Sequence, residues 1–440
     1  MDYAELGLSS SFSFLDGASS PEALIQRAAE LDIGVVALTD FGGLYGAPRL
    51  ARAARKNGLR AIVGARLLLA GTGPLRLLCE TPIGYQNLCR LLTLGHRDQA
   101  KGHCLVSPEV LTRFSAGLIC LYGAPPLAPS PADIQLLQSA FSPRHLFVEI
   151  QRHLDPQTEA RTQTLVALAQ AHRLPITATN DVRHARASDK PLQDILRCIH
   201  HRVSLDQAGR RLFPNAERRL KAPRHMGELF TDLPEALHTN RDIAERCTFE
   251  LDQLGYQFPR FPTPGGEDPN AFLSTRVFLG AQERYPNLSV KIRAQLEREL
   301  HLIQKLDLAG YFLIVWDICR FAKENNILCQ GRGSAANSAV CYALGITAVD
   351  PIRMNLLFER FLSEERGEWP DIDIDFPSGD KRERVIQYVY KRYGQHGAAM
   401  TANVITFRDR SALREAGLAL GFPREQIDAM AKSGGRWSSI

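Results

Sequence analysis

The chain has 440 residues, with 45% hydrophobic and 23% charged side chains and a formal net charge of +5. This length exceeds one ordinary core, so two or three domains are expected, and the composition is typical of a globular protein in water. The nine cysteines form no Cys-x-x-Cys pair, no apolar run has the length of a membrane span, and the first residues lack a signal-peptide pattern. These features argue against a zinc ribbon, a disulfide framework and a membrane partner, and they predict a cytoplasmic protein.

In the first half of the chain, short apolar runs alternate with helical patterns. Strands are predicted at residues 35–39, 61–69, 117–122, 146–150 and 175–179. The first helix is expected to begin at Pro21, because Ser20 can cap it and proline is favoured in the first turn. This alternation predicts an α/β fold with a mostly parallel sheet, either open or closed into a barrel. Residues 123–131, which hold four prolines, are predicted to form a surface loop.

The middle of the chain is predicted to be mainly helical. Residues 192–240 are expected to pack against the sheet, and their basic cluster is interpreted as a solvated face. That cluster consists of Arg210, Arg211, Arg218, Arg219 and Lys221. Prolines and glycines at 258–269 predict a domain boundary. An amphipathic helix at 289–306, with Gly310 after its end, and a core helix at 311–321 follow.

A short segment, residues 370–376, alternates carboxylate and apolar side chains with a period of two. This pattern predicts a half-buried strand with Asp371, Asp373 and Asp375 on one face. Neighbouring carboxylates on that face would lie about 6.5 Å apart and repel each other by about 2.5 kcal/mol. A bound cation would offset this repulsion, so the row of carboxylates is a candidate cation site. Hard oxygen ligands without a nearby His or Cys favour Mg²⁺ or Mn²⁺ over zinc.

Two other structures would also begin with such a row of aspartates. An EF-hand calcium loop needs Gly at its sixth position and Glu at its twelfth, but Phe376 and Arg382 occupy those positions. An acidic edge strand facing solvent stays open as the alternative.

The glycine-serine run at residues 331–338 is predicted to bind phosphate. Gly331 and Gly333 would let backbone N–H groups approach an anion, and Ser334 and Ser338 would add hydroxyl donors. The small and apolar residues 335–344 could open a helix whose N-terminus faces the phosphate. The run lacks the Gly-Lys-Ser/Thr ending of a Walker loop. Nearby, Arg360 offers a further donor, so the whole arrangement predicts nucleotidyl transfer.

The residues that follow are rich in cations. Between residues 381 and 414 there are eight basic side chains and two acidic ones. They could contact a template or primer backbone, although a solvated helix face explains at least part of the run. Two helices are then predicted, one at residues 411–420 followed by Gly421 and one at 424–432.

Taken together, residues 327–338, 345–351, 357–362 and 370–376 resemble the palm of bacterial C-family DNA polymerases, the polymerase III alpha subunits and their relatives. The form Cys-Gln-Gly-Arg-Gly-Ser-Ala-Ala-Asn-Ser is more similar to the error-prone, damage-tolerance branch than to the replicative one. The resemblance implies template-directed deoxynucleotide addition during DNA repair and damage-induced replication. It also implies a polymerase-beta-like nucleotidyltransferase palm and covers only the N-terminal part, about two-fifths, of such a protein.

The resemblance assigns roles residue by residue. Asp371 and Asp373 match the catalytic carboxylates that hold two Mg²⁺ or Mn²⁺ ions about 4 Å apart, and Asp375 is not a ligand in the family pattern. Gly333 and Ser334 match the loop on the incoming triphosphate, and Arg360 matches a triphosphate-contacting arginine. The family's third carboxylate falls beyond residue 440, so this chain alone is expected to be inactive or nearly so.

The first domain resembles the PHP domain that opens these polymerases, a distorted barrel of strands and helices. The matching segments are residues 3–6, 12–19, 38–40, 149–153 and 178–182. Several positions where the family has metal-binding histidines or neighbouring ligands differ in this chain: Gly7, Ser9, Phe41, Gly42 and Arg183. The candidate ligands that are left are Asp40, Glu149, His153, Asp181 and His184. They are too few for a confident metal cluster, so a metal-free structural remnant is predicted.

The predicted domains are therefore a PHP domain with a helical extension at 1–248, the first part of a palm at 249–402 and the start of a helical thumb at 403–440. Primer-template DNA and deoxynucleoside triphosphates are the implied partners, with a sliding clamp and a damage-tolerance accessory protein in full-length relatives. Two alternatives stay open: a non-catalytic fragment that binds DNA or a partner, and a PHP metal phosphoesterase.

Overall fold

The computed structural model describes residues 3–124, 128–255, 259–362 and 370–433. The chain divides into two compact units. The first comprises residues 1–255 together with 406–440, and the second comprises residues 256–405. Part of the predicted loop at 123–131 and part of the boundary segment at 258–269 lie outside the described residues.

The first unit is built around an eight-stranded sheet. Its strands are β1 (Glu5–Leu8), β2 (Val35–Leu38), β3 (Arg60–Leu69), β4 (Gly73–Cys79), β5 (Leu105–Val106), β6 (Leu118–Tyr122), β7 (Leu146–Ile150) and β8 (Ile176–Ala178). The strand order is β1-β2-β3-β4-β6-β7-β8, with β5 beside β3. All five predicted strands are present, and the sequence pattern missed β1, β4 and β5.

This sheet is a distorted barrel. Most neighbouring strands are parallel, and β4 runs antiparallel to both β3 and β6. The two ends of the sheet meet, because Leu8 of β1 forms a parallel bridge with Val182, just after β8. Hydrogen bonds from the Ser9 N–H to the Val182 carbonyl and from the Val182 N–H to the Gly7 carbonyl, both 2.9 Å long, close the barrel. The predicted PHP-type α/β barrel is confirmed.

Helices surround the barrel. They are α1 (Pro21–Glu30), α2 (Ala47–Lys56), α3 (Pro82–His96), α4 (Pro108–Arg113), α5 (Pro131–Ala140), α6 (Pro156–His172), α7 (Lys190–His201), α8 (Leu205–Ala208), α9 (Pro223–Leu229) and α10 (Pro234–Arg246). As predicted, α1 begins at Pro21, and the Ser20 side chain accepts a hydrogen bond from the Ala23 N–H. Helix α10 packs on β8, so the predicted helical extension does lie against the sheet.

The second unit is mainly helical. Its helices are α11 (Pro269–Arg284), α12 (Val290–Lys305), α13 (Ala309–Glu324), α14 (Ala339–Ala343) and α15 (Asp380–Gly397). Its two described strands are β9 (Gln330–Arg332) and β10 (Asp373–Asp375), which pair antiparallel. Gly310 was expected after the end of α12 but lies inside α13, and Asp307, with φ of 54°, makes the left-handed turn instead.

The last described helices are α16 (Asp409–Ala419) and α17 (Arg424–Ser433). They lie close to the bounds predicted for the start of a thumb, and Gly421 follows α16 with φ of 81°. Buried Ala419 packs with Cys198 of α7 and Ala208 of α8. These two helices therefore belong to the first unit, while their assignment as a thumb stays a prediction.

All nine cysteines are free thiols. Of the helices in the described ranges, none is both long enough and apolar enough to cross a membrane.

Candidate active site

The glycine run and the carboxylate strand are neighbours in space. Strand β9 enters the glycine run, and its pairing with β10 sets Arg332 opposite Asp373 and Gly331 opposite Ile374. The chain then turns through a 3-10 segment, Gly333–Asn337, directly after β9. The Ser334 hydroxyl donates to the Asp371 carbonyl at 3.4 Å. Residues separated by about 40 positions in the sequence thus form one local structure.

The carboxylates of the β10 segment lie on its exposed side. Asp371, Asp373 and Asp375 are exposed, whereas Ile372 and Ile374 between them are half-buried against the core of the unit. The regular strand covers only three of the seven predicted positions, Asp373–Asp375. The Tyr311 hydroxyl accepts a hydrogen bond of 2.9 Å from the Ile372 N–H, which attaches the segment to α13.

The three carboxylates differ in their partners. Asp375 forms an ion pair of 3.1 Å with Arg332, so its charge is already balanced. Asp371 and Asp373 form no hydrogen bond or ion pair through their side chains within the described ranges. Two unpaired, exposed carboxylates that are two residues apart in one extended segment are suited to a hard divalent cation.

The described residues contain no group of three or more His, Cys, Asp or Glu side chains that could hold a metal by themselves. Mg²⁺ is usually bound by one or two carboxylates together with substrate phosphates rather than by an all-protein cage. The pair Asp371 and Asp373 fits that mode of binding, in which the triphosphate supplies further oxygens.

The two glycines of the run, Gly331 and Gly333, have different structural roles. Gly333 adopts φ of 67°, which favours glycine, and there is open space where a side chain would project. Gly331 does not offer its N–H to an anion, because that N–H donates to the Ile346 carbonyl at 2.7 Å. A Cβ atom on Gly331 would lie 2.8 Å from the same oxygen. Gly331 therefore permits close packing, and the prediction that it contacts phosphate is wrong.

The predicted phosphate-facing helix is also wrong. Helix α14 has only five residues, and its first amides already bind the carboxylate of Glu299. The hydroxyl of Ser338, expected to be a phosphate donor, is buried and donates to the same carboxylate at 2.8 Å. The part of the run that faces outward is consequently the turn at Gly333 and Ser334.

Arg360 lies on an exposed 3-10 turn, Phe358–Arg360, that packs against the Gly333–Asn337 turn. The rings of Phe358 and Phe361 anchor this turn in the core of the unit. The structure thus brings Arg360 to the same region as Ser334 and Asp371.

A second buried carboxylate, on α13, connects that helix to α15. Asp317 accepts hydrogen bonds from the hydroxyls of Tyr388 at 2.6 Å and Tyr393 at 2.8 Å, and from Arg320 at 2.7 Å. Burial raises the pKa of Asp317, but these donors outweigh that effect and the pKa is lowered. Sequence reasoning missed this residue, although an aspartate inside an apolar helix was a visible signal.

The basic run splits between two helices. Lys381, Arg382 and Lys391 of α15 are exposed and form no ion pair in the part of the chain that the structure describes. Arg392 pairs with Asp317 at 3.7 Å, and Arg414 of α16 pairs with Asp428 at 3.4 Å. Three cations of α15 are therefore available to a polyanion.

The centre of the barrel holds arginines beside the candidate metal ligands. Arg76 donates to Glu149 and to Asp181, both at 3.0 Å. Arg183 donates to both oxygens of Asp181 at 2.9 Å, and Arg218 pairs with Asp181 as well. Burial would raise the pKa of Asp181, but these guanidinium groups hold it well below its usual range.

The other candidate ligands are also engaged. Asp40 accepts three hydrogen bonds of 2.7 Å from Ser10 and Ser13. His153 and His184 are both buried, and each has one ring nitrogen bonded to a backbone carbonyl. These side chains do not fit the metal cluster of the PHP family, because guanidinium groups already neutralise the central carboxylates.

The predicted solvated basic cluster is only partly a surface feature. Arg218 and Lys221 are buried, and Lys221 donates to the Asn180 side chain at 2.7 Å and to the Glu217 carbonyl at 2.6 Å. These two cations are structural, so the interpretation of the whole cluster as a solvated face is wrong.

One prediction concerns His153. Burial, helped by the charge of Arg218, lowers its pKa from 6.5 to about 3. The folded state therefore binds this proton less readily than the unfolded state, and stability should fall as the pH drops from 6.5 towards 3. For one proton the slope is at most about 1.4 kcal/mol per pH unit. In denaturant titrations, His153→Gln should flatten this slope, with the exposed His103→Gln as the matched control. An unchanged slope in His153→Gln would contradict the assignment.

Comparisons with known families agree with the two-part architecture. The family model of PHP domains matches residues 5–153, and that of the bacterial DNA polymerase III alpha NTPase domain matches residues 271–440.

Curated relatives cover almost the whole chain. The error-prone DNA polymerase of Pseudomonas aeruginosa is 46% identical over 99% of this chain and 42% of its own length. Those of Dechloromonas aromatica and Mycobacterium tuberculosis are 43% and 42% identical, again over 99% of the chain and over 43% and 42% of their lengths. The chain thus spans about two-fifths of the length of these relatives.

Among solved structures, an amidohydrolase from Chromobacterium violaceum is 16% identical over 41% of this chain and 88% of its own, with a TM-score of 0.31. A TM-score at this level supports no conclusion. The family models and the curated relatives show what the chain is similar to: residues 5–153 are similar to PHP domains, residues 271–440 are similar to the bacterial DNA polymerase III alpha NTPase domain, and almost the whole chain is similar to the first part of error-prone DNA polymerases.

Proposed function

We propose that this chain carries the first part of an error-prone, template-directed DNA polymerase acting in DNA repair and damage-induced replication. The observation that supports the proposal best is the antiparallel pairing of β9 with β10. It places the Gly333–Ser334 turn directly beside Asp371 and Asp373. Because the chain spans about 42% of the length of its relatives, the activity of the whole protein is a proposal, as are its substrates.

In this proposal each side chain has a separate task. Asp371 and Asp373 would hold divalent cations, Mg²⁺ or Mn²⁺, which when bound activate the primer hydroxyl and stabilise the leaving oxygen. The Gly333 N–H would donate to the phosphates of the incoming nucleotide, the Ser334 hydroxyl would exchange its long 3.4 Å bond to the Asp371 carbonyl for a phosphate oxygen, and Arg360 would balance the phosphate charge. The ion pair with Arg332 keeps Asp375 out of the ligand set.

The proposal is tested by nucleotide binding to the 440-residue chain. We expect dATP to bind in Mg²⁺ or Mn²⁺ and to lose most of its affinity in EDTA, measured by isothermal titration calorimetry. Affinity that does not depend on the cation would contradict the site. Primer extension by the same protein then separates an active polymerase from a fragment that only binds its substrates.

The surface of α15 is proposed to contact primer-template DNA. Lys381, Arg382 and Lys391 are exposed, carry positive charge and follow the carboxylate strand by 6 to 16 residues. We expect DNA affinity to fall steeply with added salt, because each phosphate contact releases a counterion.

Replacing Lys381 and Arg382 together with alanine should weaken DNA binding uniformly across sequences. It should also lower the slope of log affinity against log salt by about 2, one for each lost contact. Fluorescence anisotropy with a labelled primer-template at four salt concentrations measures this. Lys291→Ala, an exposed lysine on α12, is the matched control. An equal slope in the double variant and in wild type would exclude α15 from the interface.

The first unit is proposed to be structural, without phosphoesterase activity. Its support is the occupation of Glu149 and Asp181 by arginines. In a full-length protein, the sliding clamp and a damage-tolerance accessory protein are proposed partners, and the cytoplasm is the proposed compartment.

A further inference from the structure

One buried carboxylate lies at the far end of the glycine run. Glu299, on α12, is fully buried. It accepts hydrogen bonds from the Ser338 hydroxyl at 2.8 Å and from the N–H groups of Ala339 and Val340, both at 3.0 Å. A fourth bond of 2.7 Å comes from the side chain of Gln295. All the bonds that hold Glu299 in the described ranges come from uncharged donors, without an ion pair.

The carboxylate of Glu299 is the anion that these four donors bind, so the protein supplies both the anion and its donors. Burial raises the pKa of Glu299, and its four donors oppose that shift by favouring the charged form. A carboxylate without a cation partner is kept in a core only when its oxygens are fully hydrogen-bonded. Three of the four donors are the first two amides of α14 and the hydroxyl that precedes them, and a helix start leaves such amides without a partner inside the helix.

This contact fixes the end of the turn at Gly333–Asn337. The beginning of the turn is held by the pairing of Arg332 with Asp373. Its end is held by Ser338, whose hydroxyl also accepts from the Cys341 N–H at 3.1 Å. Five residues lie between these two anchors, and Gly333 and Ser334 are the first two of them and face outward.

We propose that Glu299 is a positioning residue of the triphosphate site, which holds the Gly333–Asn337 turn in the shape that receives the phosphates. The inference rests on the proposed function of that turn. Glu299 does not touch nucleotide or metal. It acts through Ser338 and α14, and α14 is further fixed because Gly280 of α11 packs against the Ala343 carbonyl, where a Cβ atom would lie 2.1 Å away.

The test compares Glu299→Gln with Glu297→Gln. Glutamine preserves the shape of the side chain but turns one acceptor into an NH₂ group that faces N–H or O–H donors. Glu297, two residues earlier on the same helix, is exposed and pairs only with Arg293 in the described part of the chain. Two affinities are measured for each variant: Mn²⁺ alone, by electron paramagnetic resonance, and dATP in the presence of Mn²⁺.

We expect Glu299→Gln to weaken dATP binding at least tenfold and to change Mn²⁺ affinity by less than twofold, because the metal-binding carboxylates, Asp371 and Asp373, lie on another segment of the chain. Glu297→Gln should match wild type in both. Wild-type dATP affinity in Glu299→Gln would overturn the inference. A parallel loss of Mn²⁺ affinity would also overturn it, since it would indicate general unfolding of the site.

If Glu299→Gln does not fold, Ser338→Ala, which removes one of the four donors, should weaken dATP binding by about threefold, and unchanged binding would refute the inference.

Failure of the proposed function gives a different result. A wild-type chain that binds no dATP contradicts that function directly. Hydrogen exchange at the amides of Ala339 and Val340 then decides the role of Glu299. Faster exchange in Glu299→Gln supports its anchoring of the turn, and unchanged exchange rules it out.

Discussion

Replacing Arg76 with methionine is expected to lower the free energy of unfolding of the first unit by about 3–5 kcal/mol. Arg76 is completely buried inside the barrel and donates to Glu149 and Asp181. Methionine fills similar space but leaves carboxylates in the core without one of their cations. The cost of breaking a buried ion pair from one side is of this size, because the charge left behind cannot reach water.

Denaturant titration followed by circular dichroism measures this change. Arg224→Met is the control, since the Arg224 side chain is 91% exposed and, among the residues that the structure describes, pairs only with Glu228 on its own helix, so less than about 0.5 kcal/mol should be lost. The double variant Arg76→Met with Glu149→Gln should recover part of the stability. A loss below about 1 kcal/mol in Arg76→Met would show that the arginines do not hold the barrel together. Stoichiometric zinc or manganese in chelator-washed protein would show that the barrel binds metal after all.

Replacing Asp373 with asparagine is expected to reduce metal-dependent nucleotide binding at least about 100-fold. Even residues that only orient a metal ligand change metal affinity by 10–100-fold, so loss of a ligand itself should cost at least as much. Asp373 is exposed and has no ion pair in the described part of the chain, so the substitution should hardly alter stability.

The matched control for this prediction is Asp375→Asn on the same strand. Asp375 is paired with Arg332, so it should contribute little to metal binding, and its substitution should weaken dATP binding by less than about fivefold. Calorimetry with dATP and Mn²⁺ compares the two variants. Equal effects of Asp373→Asn and Asp375→Asn would contradict the assignment of ligands on β10.

Local patterns in the sequence predicted much of the fold and the outline of the site. The five apolar strand runs, the cap of α1 and the alternation of Asp371 to Phe376 depend on residues close together in the chain, so their periods could be recognised. The missed strands have weaker patterns: β5 has only two residues, β1 has Glu5 and Gly7 beside its two leucines, and β4 is interrupted by Arg76 between Leu75 and Leu77.

The wrongly predicted phosphate-facing helix and the missed Asp317 have a common physical cause, which is long-range pairing of buried charges. Glu299 lies on the apolar stripe of α12 between Leu296 and Ile303, and its partner Ser338 is 39 residues away. Asp317 likewise interrupts an apolar helix. In both cases a charged residue at a core position was the visible signal. The identity of its partner could not be predicted, because it depends on how distant segments fold together.

The most direct test of the account is a crystal structure of the chain grown with Mn²⁺ and a non-hydrolysable dATP analogue, with data collected at the manganese absorption edge. We expect anomalous peaks beside Asp371 and Asp373 and the triphosphate against the Gly333–Ser334 turn. Manganese bound elsewhere, or a triphosphate on another surface of the chain, would contradict it.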